Sequence, residues 1–172
     1  MEAAGVGGVQ VDRIIMTEEQ VKLVLNDVEA AMDNAGIKVF RSTDHKFEGW
    51  LHVQLVEALL RLGVVQGGIR VEERVDDDQG RFPDISWGKA PDRIVVEVKL
   101  IADRSVSQDL GSIDDEIKRM KKLSGVRECW LVYAQIPEKL RSDYYERRLK
   151  EIVADRHVIR SVKDQLVACK VK

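Results

Sequence analysis

Arg81 to Leu100 read RFPDISWGKAPDRIVVEVKL, a β-hairpin legible in residue types alone. Ile94, Val95, Val96, Val98 and Leu100 form a β-branched, apolar run broken at period two by Glu97 and Lys99, which is a strand pattern. Gly88, Lys89, Ala90, Pro91 and Asp92 are turn chemistry, so Phe82 to Trp87 is the natural antiparallel partner. Folding about a turn centred near Ala90 sets Asp84 opposite Val96 or Glu97, and directly opposed residues bring their Cβ atoms within about 5 Å. Glu97 and Lys99, two apart, share one strand face. Asp84, Glu97 and Lys99 are therefore expected to meet. The second Pro-Asp pair, Pro91-Asp92, lies five residues before Glu97, roughly 16 Å along one strand, and belongs to the turn.

Two carboxylates and a backbone carbonyl, that of Val98, make a hard oxygen site suited to Mg²⁺, with Mn²⁺ able to substitute. Such an ion polarises a phosphoryl oxygen and lowers the pKa of water. Lys99 beside it either orients or deprotonates the attacking water, or holds the scissile phosphate as a point charge. The chemistry expected of these groups is phosphodiester hydrolysis.

Pro83, Asp84, Glu97 and Lys99, with an apolar strand leading into the E-x-K, resemble the motif of the PD-(D/E)xK nuclease superfamily. The resemblance implies a restriction-endonuclease-like α-β-β-β-α-β core and a Mg²⁺-dependent nuclease acting on nucleic acid, DNA by preference. It implies that Asp84 and Glu97 bind the metal and that Lys99 assists the nucleophile. The alternative it leaves is a non-catalytic member of the same fold that binds nucleic acid or scaffolds a larger complex. Two-fold partners are common in that superfamily, which keeps a homodimer open.

Upstream, Phe47 to Gly63 (FEGWLHVQLVEALLRLG) is helical in period and ends on a glycine suited to a C-cap. At 100° per residue, Leu51, His52, Leu55, Leu59 and Leu62 fall within about 60° of Glu48, so Glu48 points with the buried face. Glu57, with Trp50 and Arg61 nearby, falls on the solvated side. Many members of the resembled superfamily carry an acid on this helix that reaches the metal, and Glu48 is the residue that matches; the other reading is a first-turn carboxylate favoured by the helix dipole. His52 reads as a satisfied, half-buried histidine.

The remaining elements follow from local signals. Thr17 opens a helix to about Asn34, with Gln20 in capping-box position; Lys38 to Arg41 reads as a short strand, Ile69 to Val75 as another, and Asp76 to Gly80 as a solvated acidic loop. Asp103 to Asp109 reads as loop, followed by a helix capped by Ser112 and running to about Leu123, with Asp114, Asp115 and Glu116 in its first turns. Glu128 to Gln135 reads as a strand, Glu138 to Ala154 as a helix, and His157 to Val162 and Leu166 to Val171 as strands. The expectation is an α/β domain spanning residues 1–172, with a mixed central sheet flanked by helices. The N-terminal helix and the C-terminal helix and strands are additions to the core, and the first ten residues are a loose start.

Composition excludes several classes. With 44% hydrophobic and 34% charged residues the chain is that of a soluble globular protein; no run suits a membrane span and no secretory signal opens it, so a cytoplasmic location is expected. Cys129 and Cys169 have neither metal-ligand nor C-x-x-C spacing and read as buried thiols. The net charge of −2 divides unevenly. Residues 1–100 hold 12 basic against 18 acidic residues, net −6, and residues 101–172 hold 16 against 12, net +4. In that second part Lys118, Arg119, Lys121 and Lys122, and separately Arg147, Arg148 and Lys150, are either phosphate-tracking clusters or solvated helix faces. In the resembled superfamily the helix after the E-x-K borders the active site, and that resemblance makes Lys118 or Lys122 the candidate for approaching nucleic acid.

Overall fold

The computed structural model describes residues 16–33, 44–63, 68–72, 83–101, 106–135 and 143–172. Helices α1 (Glu18–Met32) and α2 (Asp44–Arg61) lead into strands β1 (Ile69–Val71), β2 (Ile85–Trp87) and β3 (Arg93–Ile101). Helix α3 (Val106–Lys121), strand β4 (Val126–Gln135), helix α4 (Asp143–Val153) and strands β5 (Val158–Arg160) and β6 (Leu166–Lys170) follow. The strands form one mixed sheet in the order β1-β2-β3-β4-β6-β5. Strands β3 and β4 run parallel across the α3 crossover, and each other neighbouring pair is antiparallel.

Side-chain alternation along β3 feeds two cores. Ile94, Val96 and Val98 pack with Val24, Leu25 and Val28 of α1 and Leu51, Leu55 and Leu59 of α2. Val95 and Ile101 face the other way, toward Ile113, Ile117 and Met120 of α3 and Leu149 and Ile152 of α4. Strand β4 is buried on both faces, with Trp130 and Val132 in the first core and Cys129, Leu131 and Tyr133 in the second, as its uninterrupted apolar run requires. Both cysteines are buried and unpaired.

Thr17 caps α1 through the expected box, its hydroxyl accepting from Gln20 N while Gln20 returns a bond to Thr17 N. Helix α2 begins at Asp44, three residues earlier than its sequence period suggests, and Gly63 lies past its end with φ +86°. Leu51, Leu55 and Leu59 are buried and Glu57 and Arg61 exposed, as helical phase predicts. Trp50 departs from that reading: it is half-buried because it stacks on Phe47 at 5.5 Å. The larger correction concerns α3, which starts at Val106. Ser112 is therefore an interior residue rather than a cap, and Asp114, Asp115 and Glu116 lie mid-helix. Burying Ile113, Ile117 and Met120 outweighs the cost of about 1 kcal/mol for the helical glycine at position 111. The expected strand at Lys38 to Arg41 and the acidic loop at Asp76 to Gly80 lie outside the described residues. Among the described residues no helix is long and apolar enough to cross a membrane.

Helix α1 is locked to the β5–β6 turn by a buried acid. Glu29 of α1 is 3% exposed and accepts from Lys163 N at 2.8 Å, Gln165 N at 3.0 Å and the Ser161 hydroxyl. Asn26 Oδ1 accepts from Val162 N at 3.0 Å, so one helix face takes up the amides of the β5–β6 turn. Glu29→Ala is expected to lower unfolding stability by about 3–5 kcal/mol, since it strands buried donors, with an unchanged m-value in urea melts.

Candidate active site

Strand β2 pairs with β3 as far as Ile85 opposite Val96. One step further sets Asp84 against Glu97, the second of the two partners that turn chemistry allowed. At that point the strands part and a side chain takes over the ladder: Val98 N donates to Asp84 Oδ2 at 2.7 Å. In an antiparallel strand the N–H and C=O of one residue face the same edge. The Val98 carbonyl therefore points into the gap that Asp84 borders. Asp84 is anchored from its other side by Glu72, whose N–H donates to the Asp84 carbonyl at 3.1 Å.

The site draws on both faces of the sheet. Glu97 and Lys99 share the face of Val95 and Ile101, covered by α3. Helix α2 covers the other face and presents His52, whose Nε2 lies 3.6 Å from Asp84 Oδ2. That is ion-pair distance and too long for a hydrogen bond. Asp84, at the strand end, is reached from both directions, and its charge acts on the Glu97 carboxyl.

Electrostatics separates the two acids. Burial raises Glu97 most, the charge of Asp84 adds to it, and Lys99 and Arg119 oppose, leaving Glu97 pushed up to about 8. Burial works the same way on Asp84 but is outweighed by His52, the Val98 N–H and Lys99, which hold it below the usual carboxylate range. For His52, burial disfavours the imidazolium, yet Asp84, Glu48 and Glu72 outweigh burial and raise its pKa. The pair near neutral pH thus carries one shared proton.

Asp84, Glu97, Lys99 and the Val98 backbone come together as expected, and Asp92 stays in the exposed turn, 3.4 Å from Arg127. Glu48 is half-buried on α2 and acts electrostatically on His52. The reading of His52 as satisfied is corrected: it is 9% exposed and its Nε2 has no hydrogen-bond partner. Its counterpart, Asp84, reaches it only through the tertiary fold. Lys118 is 61% exposed and held by Asp114 at 2.6 Å and Asp115 at 3.7 Å on its own helix; Lys122 is exposed beyond the end of α3. Lys118 is two residues from Glu116 and so points away from the face that Glu116 shares with the sheet.

Two residues of α3 stand at the site: Glu116, expected only as a first-turn helix acid, and Arg119, expected in a cluster that either tracks phosphate or is a solvated helix face. Glu116, 4% exposed, has its Oε2 3.9 Å from Lys99 Nζ, and the same oxygen pairs with the Arg119 guanidinium. The signal for Glu116 is an acid set inside the apolar stripe Ile113, Ile117, Met120.

The donor set fits a hard divalent cation. The Asp84 carboxylate, the Glu97 carboxylate once its proton has left, and a carbonyl directed at the same gap are oxygen donors of the kind Mg²⁺ uses when water fills its remaining positions. His52, whose imidazolium is favoured by Asp84, Glu48 and Glu72, stands beside Asp84 as a positive group and is not one of the oxygen donors. Among the described residues no three His, Cys, Asp or Glu side chains form a ready cage, so the fit is that of a carboxylate pair. Comparison of the chain with protein-family models, curated proteins and solved structures returned no match.

The raised groups fix a pH dependence. Glu97 ordinarily titrates near 4.5 and titrates near 8 in the fold, so between these values the folded state holds a proton that the unfolded state has lost. Its stabilisation is present below pH 4.5 and is lost as pH rises through 8; His52, also raised, has the same sign. The metal-free protein is expected to lose melting temperature from pH 5.5 to 8.5, and Glu97→Gln to flatten the profile, read by calorimetry in EDTA.

Proposed function

We propose that this chain is a Mg²⁺-dependent nuclease of the PD-(D/E)xK type, hydrolysing phosphodiester bonds of DNA on a restriction-endonuclease-like core. The observation that carries the reading is the Asp84–Val98 hydrogen bond at 2.7 Å, which holds the aspartate against Glu97, on the strand face that Lys99 shares. The succession α2-β1-β2-β3-α3-β4, with β3 parallel to β4, supports the core assignment.

Asp84, Glu97 and the Val98 carbonyl are the groups that would hold the cation, which when bound supplies positive charge to the phosphoryl oxygens and acidifies water. Glu97 surrenders its proton in taking that role, and His52 keeps Asp84 ionised from the α2 side. Lys99, on the same face as Glu97, holds the scissile phosphate and the attacking water in line as a charged donor. Glu48 stands behind His52 and supports its charge.

Asp84→Ala and Lys99→Ala are each expected to lower Mg²⁺-dependent cleavage of plasmid and linear DNA about a hundredfold or more, with circular dichroism unchanged. Parental rates in both variants would overturn the assignment. Mn²⁺ quenching of Trp87, buried on β2, distinguishes an enzyme from a non-catalytic scaffold, which gives no specific response.

A further inference from the structure

Lys99 stands between acids on different elements. Its charge acts on Asp84, which is held ionised, and on Glu97, two residues before it on the same strand face. Among the described residues, the acid at ion-pair distance from it is Glu116 of α3, whose Oε2 lies 3.9 Å from Lys99 Nζ. A lysine is a compact charge on a flexible four-carbon stem, so either side can hold it. Which side does so decides what fills the gap beside Asp84. An ammonium turned to Asp84 takes the place of a cation there, and one turned to α3 leaves that place open.

Glu116 is fixed where it can make that choice. It is 4% exposed and stands among Ile113, Ile117 and Met120, the stripe that roots α3 in the second core. With Glu97 it lines a crevice between helix and sheet. A buried carboxylate needs compensating charge, and Glu116 has it twice, from Lys99 and from the Arg119 guanidinium on the same oxygen. Arg119 therefore keeps Glu116 compensated when Lys99 is replaced. Asp84 has support of its own, the Val98 N–H at 2.7 Å and His52 Nε2 at 3.6 Å, and is held without a direct bond to Lys99.

We propose that Glu116 is the positioning residue of Lys99, drawing its ammonium toward α3 so that the gap bordered by Asp84, Glu97 and the Val98 carbonyl stays open to the cation. This deepens the nuclease reading and rests on it for the identity of that cation. Without Glu116 the ammonium turns to Asp84 and competes with the metal.

The test is Mn²⁺ binding to the metal-free chain, without DNA, by isothermal titration calorimetry. Parent, Glu116→Gln, Lys99→Ala and the double variant are compared, with circular dichroism as the control for folding and Mg²⁺-dependent cleavage measured alongside. Glu116→Gln is expected to weaken Mn²⁺ affinity about tenfold. In the Lys99→Ala background the same change is expected to cost no more than about twofold, because the competing ammonium is gone. A Glu116 that acts only through its own charge or through packing costs the same in both backgrounds, and that result overturns the proposal; so does an unchanged affinity in Glu116→Gln. Glu116→Asp, which keeps the carboxylate but withdraws it from Lys99 by one methylene, is taken through the same cycle with a smaller loss expected, and decides the question if the Gln variant does not fold. A parent that binds Mn²⁺ with a coupled cycle but cuts no DNA keeps the positioning role without the nuclease. A parent that cleaves while the two costs are equal keeps the nuclease reading without the positioning role, and a parent that neither binds nor cleaves overturns both.

Discussion

A single side-chain hydrogen bond, Val98 N–H to Asp84 Oδ2, connects architecture with chemistry here. Strand β3 continues to Ile101 along β4 after β2 has ended at its other edge. A buried strand amide at such a fork needs an acceptor, and leaving it unmet costs about 1–3 kcal/mol. Asp84 supplies that acceptor with a carboxylate instead of a carbonyl. The same bond that closes the ladder thereby fixes an acid beside Glu97, Lys99 and the Val98 carbonyl.

Charge around this fork is arranged by face. From the α2 side His52 acts on Asp84 and Glu48 on His52; on the opposite face Lys99 of β3 and Arg119 of α3 act on Glu97, and Glu116 pairs with both. Glu97 is held protonated chiefly by its burial, with the charge of Asp84 adding to it, while His52, the Val98 N–H and Lys99 keep Asp84 ionised. Both helices that border the site are rooted in cores through apolar stripes, so their polar groups are presented by rigid elements. The Glu29 clasp belongs to β5 and β6, separated from the fork by β4 in the sheet order, and stability there is supplied without using site residues.

The sequence determined what depends on neighbours in the chain. Turn residues Gly88 to Asp92 and the period-two run of β3 chose Asp84 over Asp92 and put Glu97 and Lys99 on one face. Helical phase sent Leu51, Leu55 and Leu59 inward with Glu57 outward, and Thr17 with Gln20 announced the start of α1. These are short-range signals, and the structure follows them. What only the tertiary structure decided depends on which helix covers which face. The choice of Glu97 over Val96 opposite Asp84 required the realised register, and the start of α3 at Val106 required a core that repays a helical glycine. His52, Glu116 and Arg119 acquire their roles from partners remote in sequence or on another element. Periodicity marks a side chain as inward-facing, but the charge it will meet there is fixed only when the packed sheet brings two segments together.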